Sequence, residues 1–188
     1  MSTGGQKKKK KKKKKRSDLL GASTPQTNKR YWAGIDPGKN GAVVIISEEG
    51  FVAAHLLRRC VYQNKWMIAE LIDVVSKVAA FQPTAVLEKQ HAKRGQGLSS
   101  TFTTGFGYGI LIAACSSQCI DYEIFFSRKW QSILAEEKGQ DSKEKGLSLA
   151  YRTFPELHEF TRVKHNGLSD AACMALFARS RANGETSD

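Results

Sequence analysis

Residues 32–46 read WAGIDPGKNGAVVII, two apolar runs flanking one carboxylate and a Pro-Gly turn. Trp, Val and Ile on either side of Pro37-Gly38-Lys39-Asn40 favour two strands joined by a tight connection. Asp36 then stands where the first strand ends and opens into a cleft. A third run, 51–57, follows Glu48-Glu49-Gly50, so an antiparallel three-stranded meander accounts for the first part of the chain. Helical spacing takes over at 64–80, where Ile68, Ala69, Ile72, Val75 and Ala79 share a face. Gln82-Pro83 ends that helix and 84–88 reads as a short buried strand. A helix of low polarity over 100–119, a strand at 122–126, helical stretches at 128–136 and 142–154, and a final helix over 168–182 complete the order. Three strands followed by alternating helices and strands describe an α/β domain with a mixed five-stranded sheet flanked by helices.

The 188 residues suffice for one well-filled core, and the formal charge of +12 is that of a polyanion binder. Its distribution changes the inference. Lys7 to Lys15, with Arg16, Lys29 and Arg30, supply twelve of the thirty basic residues, and the chain from Tyr31 onward is close to neutral at +1. Residues 1–30 are therefore expected to be a disordered basic tail, 31–182 the folded domain and 183–188 a disordered end. The tail suits a polyphosphate-seeking arm, a nuclear import signal or a plain solvated leader, and composition does not separate these. The four cysteines form no zinc spacing, Cys115 and Cys119 read as small packing residues, and a reducing compartment is expected. With no apolar run judged to approach the ~18 residues of a membrane span, and no secretory leader, no membrane partner is expected.

Three acids stand out. Asp36 and Glu88 each end a predicted strand, and in open α/β sheets ligands gather at the carboxyl ends of the strands. Asp170 falls in the first turn of the last helix on a stripe with Met174 and Phe177, which points it inward, where folding alone gains nothing from a charge. His165 lies a few residues ahead. Singly, each acid reads as a turn residue, a strand-end charge or a helix-dipole partner. Together, three carboxylates meet the needs of two Mg²⁺ or Mn²⁺ ions ~4 Å apart.

The motifs GIDPG with KNGAVV after it, LEKQ from Leu87 to Gln90, GFGYG at 105–109 and KHNGLSDAA at 164–172 cover nearly all of the folded part. In order and spacing they resemble the RuvC family of Holliday junction resolvases, on a ribonuclease H-like fold, and most of all its plant chloroplast and phage branches. The resemblance implies that Asp36 is the first-strand acid bridging two metals, that Glu88 is the central-strand acid, and that His165 and Asp170 are the last-helix pair. Bacterial members usually space that pair three apart, whereas here the spacing is five, and Lys164 is a neighbouring candidate. Lys143 falls where plant-like relatives carry a basic residue near the scissile phosphate, with Lys138 and Lys145 close by.

On that basis the expected activity is metal-dependent hydrolysis of four-way DNA junctions by a homodimer, since the junction is itself two-fold symmetric. Lys89, Lys93, Arg94 and Lys164 are expected on phosphates. Phe106 and Tyr108, with Phe102, are expected either to stack on an unpaired base or to pack in a core or dimer interface. The three glycines Gly105, Gly107 and Gly109 would admit a second backbone. A sugar-kinase or actin-like phosphate loop would need a second lobe and is a poor alternative. A non-catalytic branched-DNA binder and another ribonuclease H-like nuclease remain open.

Overall fold

The structure, a computed structural model, describes residues 25–26, 28–92, 94–160 and 166–185. Strands β1 (Tyr31–Ile35), β2 (Ala42–Ser47), β3 (Gly50–Leu56), β6 (Thr84–Glu88) and β7 (Asp121–Phe125) form one sheet in the order β3-β2-β1-β6-β7. The pairs β1/β2 and β2/β3 are antiparallel, and β1/β6 and β6/β7 are parallel. The expected mixed five-stranded sheet is thus observed.

Every residue of β1 and β2 is buried, as befits strands covered on both faces and read as continuous apolar runs. Alternation sorts them into two cores. Ala33, Ile35, Val43, Ile45 and Leu87 pack against α1 (Ile68–Ala79) and α2 (Leu98–Ser117) through Leu71, Val75 and Leu111. Trp32, Val44, Ile46 and Val86 point the other way, onto α4 (Ser142–Thr153) and α5 (Asn166–Ala182). Met174 and Phe177 of α5 are wholly buried in that second core, as their shared stripe with Asp170 predicts. Helix α5 lies directly on β1. A Cβ on Gly34 would come within 1.9 Å of the Ala171 carbonyl oxygen, so only glycine admits this contact.

Four sequence expectations are corrected. The helix expected over 64–80 begins at Ile68, because residues before it form a hairpin of β4 (Val61–Tyr62) and β5 (Lys65–Trp66). Gln63 and Asn64 both have positive φ there, which turns the chain back and precludes a helix. The stretch 128–136 is a four-residue α3 (Ser127–Trp130) and a 3₁₀ turn (Gln131–Leu134). Cys119 is exposed with φ 53 just past α2, whereas Cys115 is buried, so only the latter is a packing residue. Finally, the 20-residue α2 is long and apolar enough by composition to cross a membrane, although part of it packs in the core. Its Gly, Ser and Thr residues lower hydropathy little and it carries no charge. The basic tail at 1–24 lies outside the described residues, but Lys29 and Arg30 are described and pair with Glu49 and Glu48 at 2.6 Å in each case.

Candidate active site

Strand pairing sets the geometry. In the parallel β1/β6 pair Ile35 stands opposite Leu87, so the next residues, Asp36 and Glu88, leave adjacent strands side by side at one edge of the sheet. Helix α5 starts at the same edge, where Gly167 bridges to Gly41 in the turn after β1. Asp170 follows one turn into the helix, in reach of both acids.

The turn is built around Asp36. Its Oδ1 accepts the Gly38 N–H at 3.0 Å, which fixes the carboxylate rotamer. A Cβ on Gly41 would lie 2.1 Å from the Asp36 carbonyl oxygen, and one on Gly167 would lie 2.7 Å from Asp36 Oδ2 and 2.4 Å from the Asn40 carbonyl oxygen. Both glycines therefore hold space beside the acid. The Glu88 carboxylate accepts the Gln90 side-chain N–H at 3.1 Å. Burial pushes the Asp170 carboxyl up to about 7, and the negative charges of Asp36 and Glu88 push in the same direction, while Lys143 partly opposes them. The three acids and Lys143 thus share one electrostatic site.

Asp36, Asp170 and Lys143 line a cleft of about 1020 Å³, which Asn64 of the hairpin and Ser99, Ser100, Thr103 and Thr104 of α2 also border. Lys143 is exposed at the start of α4, where Asp141 caps the helix by accepting the Lys143 and Glu144 N–H groups. The donors are all oxygen, which suits Mg²⁺ or Mn²⁺ better than a thiolate-loving ion. Among the described residues, no three His, Cys, Asp or Glu side chains stand close enough to form a complete ligand cage as they are. Carboxylates of like charge favour such separation, and a cation would draw them in.

His165, Lys164 and Lys93 lie outside the described residues. Lys89 and Arg94 are exposed beyond the Glu88 strand, with the Lys89 ammonium 4.6 Å from the Phe126 ring centre. Phe102 and Phe106 are exposed and stack on each other at 6.2 Å. Tyr108 differs: it packs against the α1/α2 core, is bonded to the Gln90 backbone, and burial raises its pKa. Gly107 also has an internal reason, since a Cβ there would strike the Trp66 indole at 2.1 Å, whereas Gly105 and Gly109 face open space. Sequence reasoning missed Gly167, although it lies inside the KHNGLSDAA motif, and it missed Asn64, whose only signal was a Gln-Asn pair suited to a two-residue turn.

No family model matches the chain, and no curated protein matches it by sequence. Solved structures do. Thermus thermophilus RuvC in complex with a Holliday junction substrate superposes with a TM-score of 0.59 at 18% identity, covering 83% of this chain and 97% of that one. A second Thermus thermophilus RuvC structure gives 0.59 at 21% identity, covering 82% and 97%. The large terminase nuclease of the thermophilic phage G20c with bound zinc gives 0.44 at 13%, covering 89% and 90%. At these identities the RuvC likeness shows the fold, which is ribonuclease H-like.

Proposed function

We propose that this chain is a divalent-metal-dependent endonuclease that resolves four-way DNA junctions, acting as a homodimer and leaving 5′-phosphates. The observation that carries the reading is the side-by-side exit of Asp36 and Glu88 from β1 and β6, with Asp170 close enough to feel both charges. Such a concentration of negative charge, partly buried, has no use in folding. The overlap of the whole domain with a RuvC bound to a junction supports this substrate, and the four motifs support the plant and phage branch.

Asp36, Glu88 and Asp170 would hold Mg²⁺ or Mn²⁺, two per site, with His165 or Lys164 completing it. Metal ions so held supply water activation and neutralise the charge that builds on phosphorus and on the leaving oxygen. The chain's own residues do the rest. Gly38 holds the Asp36 carboxylate in one orientation, and Gly41 and Gly167 leave room beside it. Lys143 places a positive charge at the cleft wall, where it offsets the approaching phosphate. Lys89 and Arg94 extend that attraction beyond the Glu88 strand, and Lys93 belongs to the same basic segment.

A two-fold substrate calls for two sites related by the same symmetry, and the exposed Leu98, Phe102 and Phe106 on α2 give the apolar surface for a partner copy or the junction centre. Asp36→Asn and Glu88→Gln test the reading: each is expected to lower cutting by at least ~10³-fold while junction affinity changes less than ~3-fold, as for groups that act on the transition state. Turnover that survives in Asp36→Asn contradicts the scheme.

A further inference from the structure

The segment between β3 and α1 carries the β4/β5 hairpin, whose Asn64 borders the cleft. Both β1 and β3 run antiparallel to β2, so their carboxyl ends emerge at the same edge, one into Asp36 and the other into the β4/β5 hairpin. The hairpin is anchored at both ends. At its base the Met67 N–H donates to the Cys60 carbonyl at 2.7 Å, the Leu57 N–H donates to the Gly41 carbonyl at 3.0 Å, and the buried Trp66 covers Gly107. At its tip Lys39, from the catalytic turn itself, donates to the Asn64 carbonyl at 2.8 Å and to Asn64 Oδ1 at 2.7 Å. The tip is thereby fixed as a wall of the cleft that holds the acids.

The hairpin and the turn before it carry only basic charges, while Glu70 and Asp73 of α1 lie near Cys60 at the base. Residues 50–69 contain Arg58, Arg59 and Lys65 and no acid. All three are exposed, and neither Arg58 nor Lys65 forms an ion pair with a described residue. Tyr62 stands 64% exposed beside them, a large aromatic that the core does not use. Gln63 is held at φ 45, a backbone state that costs a residue with a side chain about 1 kcal/mol. Meanwhile the cleft floor is acidic and would repel a phosphate chain crossing it. Without bound metal, cations flanking the floor would offset that repulsion. Lys89 and Arg94 stand beyond the Glu88 side; on the β3 side the hairpin borders the cleft through Asn64 and carries the exposed Lys65, with Arg58 in the turn before it.

We propose that the β4/β5 hairpin, with Tyr62 and Lys65, and the 3₁₀ turn before it (Leu57–Cys60), with Arg58, form a nucleic-acid backbone clamp that grips the strand where it leaves the cleft on the β3 side. The charged pair holds phosphates, and Tyr62 lies against a sugar or base. This inference rests on the nuclease reading, since it takes the occupant of the cleft to be a DNA strand.

The test is fluorescence anisotropy of the full chain with a labelled four-way junction and with a linear duplex, in EDTA, across a series of salt concentrations. For Arg58→Glu/Lys65→Glu the junction affinity is expected to fall at least tenfold. Charge-neutral Arg58→Gln/Lys65→Gln should flatten the plot of log affinity against log salt by about two, since each lost phosphate contact removes ~0.9. Tyr62→Ala should weaken binding a few-fold with the slope unchanged. Circular dichroism melts checks that the exposed substitutions leave the fold intact. Unchanged affinity and slope in both double variants, with wild-type protein that binds and cuts, overturns the clamp and leaves the nuclease standing. Wild-type protein that binds no DNA overturns both, and loss of self-association rather than of DNA affinity in the variants would make the wall a protein interface and overturn the clamp.

Discussion

Gly167 shows how much of the site depends on atoms that are missing from a side chain. It sits at the first turn of α5, against the Asn40 carbonyl and the Asp36 carboxylate. Gly167→Ala is expected to cut nuclease activity by at least ~10²-fold, because displacing a catalytic group by about 1 Å is that costly. Junction affinity measured in EDTA should stay near wild type; normal turnover would show that Asp36 tolerates the shift. Asp170 carries a pH signature. Its folded pKa of about 7 lies above the ordinary 3.8, so the folded state holds the proton more tightly, and stability is lost as pH rises from about 4 to 7. In EDTA at pH 8, Asp170→Asn should therefore raise the melting temperature. The shift bounds the gain at about 4 kcal/mol, and screening at a partly exposed group brings the expectation nearer 1–2 kcal/mol. The gain should fade toward pH 4, and Mg²⁺ should stabilise the wild type while leaving the variant unmoved. A pH-independent difference would contradict the shared site. His55 has the opposite sign: burial first, then Lys77 and Arg59, lower it to about 4, so its contribution is intact above pH 6.5 and lost as pH falls toward 4. Its Nε2 is buried without a hydrogen-bond partner among the described residues. His55→Leu should flatten the acid side of the stability curve over that window.

Among the elements, the β1/β6 pair decides where the chemistry goes, and α5 locks it in place. Gly34→Ala should cost several kcal/mol, by analogy with overpacking at ~1–3 kcal/mol in cores that can yield, since here the new methyl meets backbone rather than a mobile side chain. A chemical melt within 1 kcal/mol of wild type would mean that α5 can slide on β1. These elements were legible in the sequence because their signals are long and local. Two apolar runs around GIDPG, a short apolar run ending in Glu88 and a helical stripe through Met174 and Phe177 each state their own conformation. The hairpin was not legible. Its strands are two residues each, too short to show a period, and Trp66 is buried by Gly107 of a helix 41 residues away. Tyr108 stood between base stacking and packing for a similar reason: its hydroxyl is bonded to the Gln90 backbone, a contact that tertiary structure alone reveals. Asp36, Glu88 and Asp170 could be proposed as a group because strand ends and helix starts gather at one edge in this topology.

For the molecule as a whole, the balance of charge separates recruitment from chemistry. The domain from Tyr31 onward is close to neutral, so its own share of affinity comes from placed cations rather than a uniform field. In the proposed clamp those cations flank an acidic cleft, and α2, which borders the cleft through Ser99, Ser100, Thr103 and Thr104, also exposes Leu98, Phe102 and Phe106, where a second copy would set two clefts for two symmetric cuts. Phe102→Glu/Phe106→Glu is expected to uncouple the paired cuts, so that single nicks accumulate on a junction in a supercoiled plasmid; unchanged paired cutting would remove α2 from the proposed interface. Cutting of a branched substrate by these acids is tested most directly by cleavage of a labelled four-way junction beside a matched linear duplex and an RNA:DNA hybrid, with Mg²⁺ or Mn²⁺ and with EDTA. Paired, symmetric, metal-dependent nicks confined to the junction are the predicted result, and tight junction binding without cutting under any metal would contradict it.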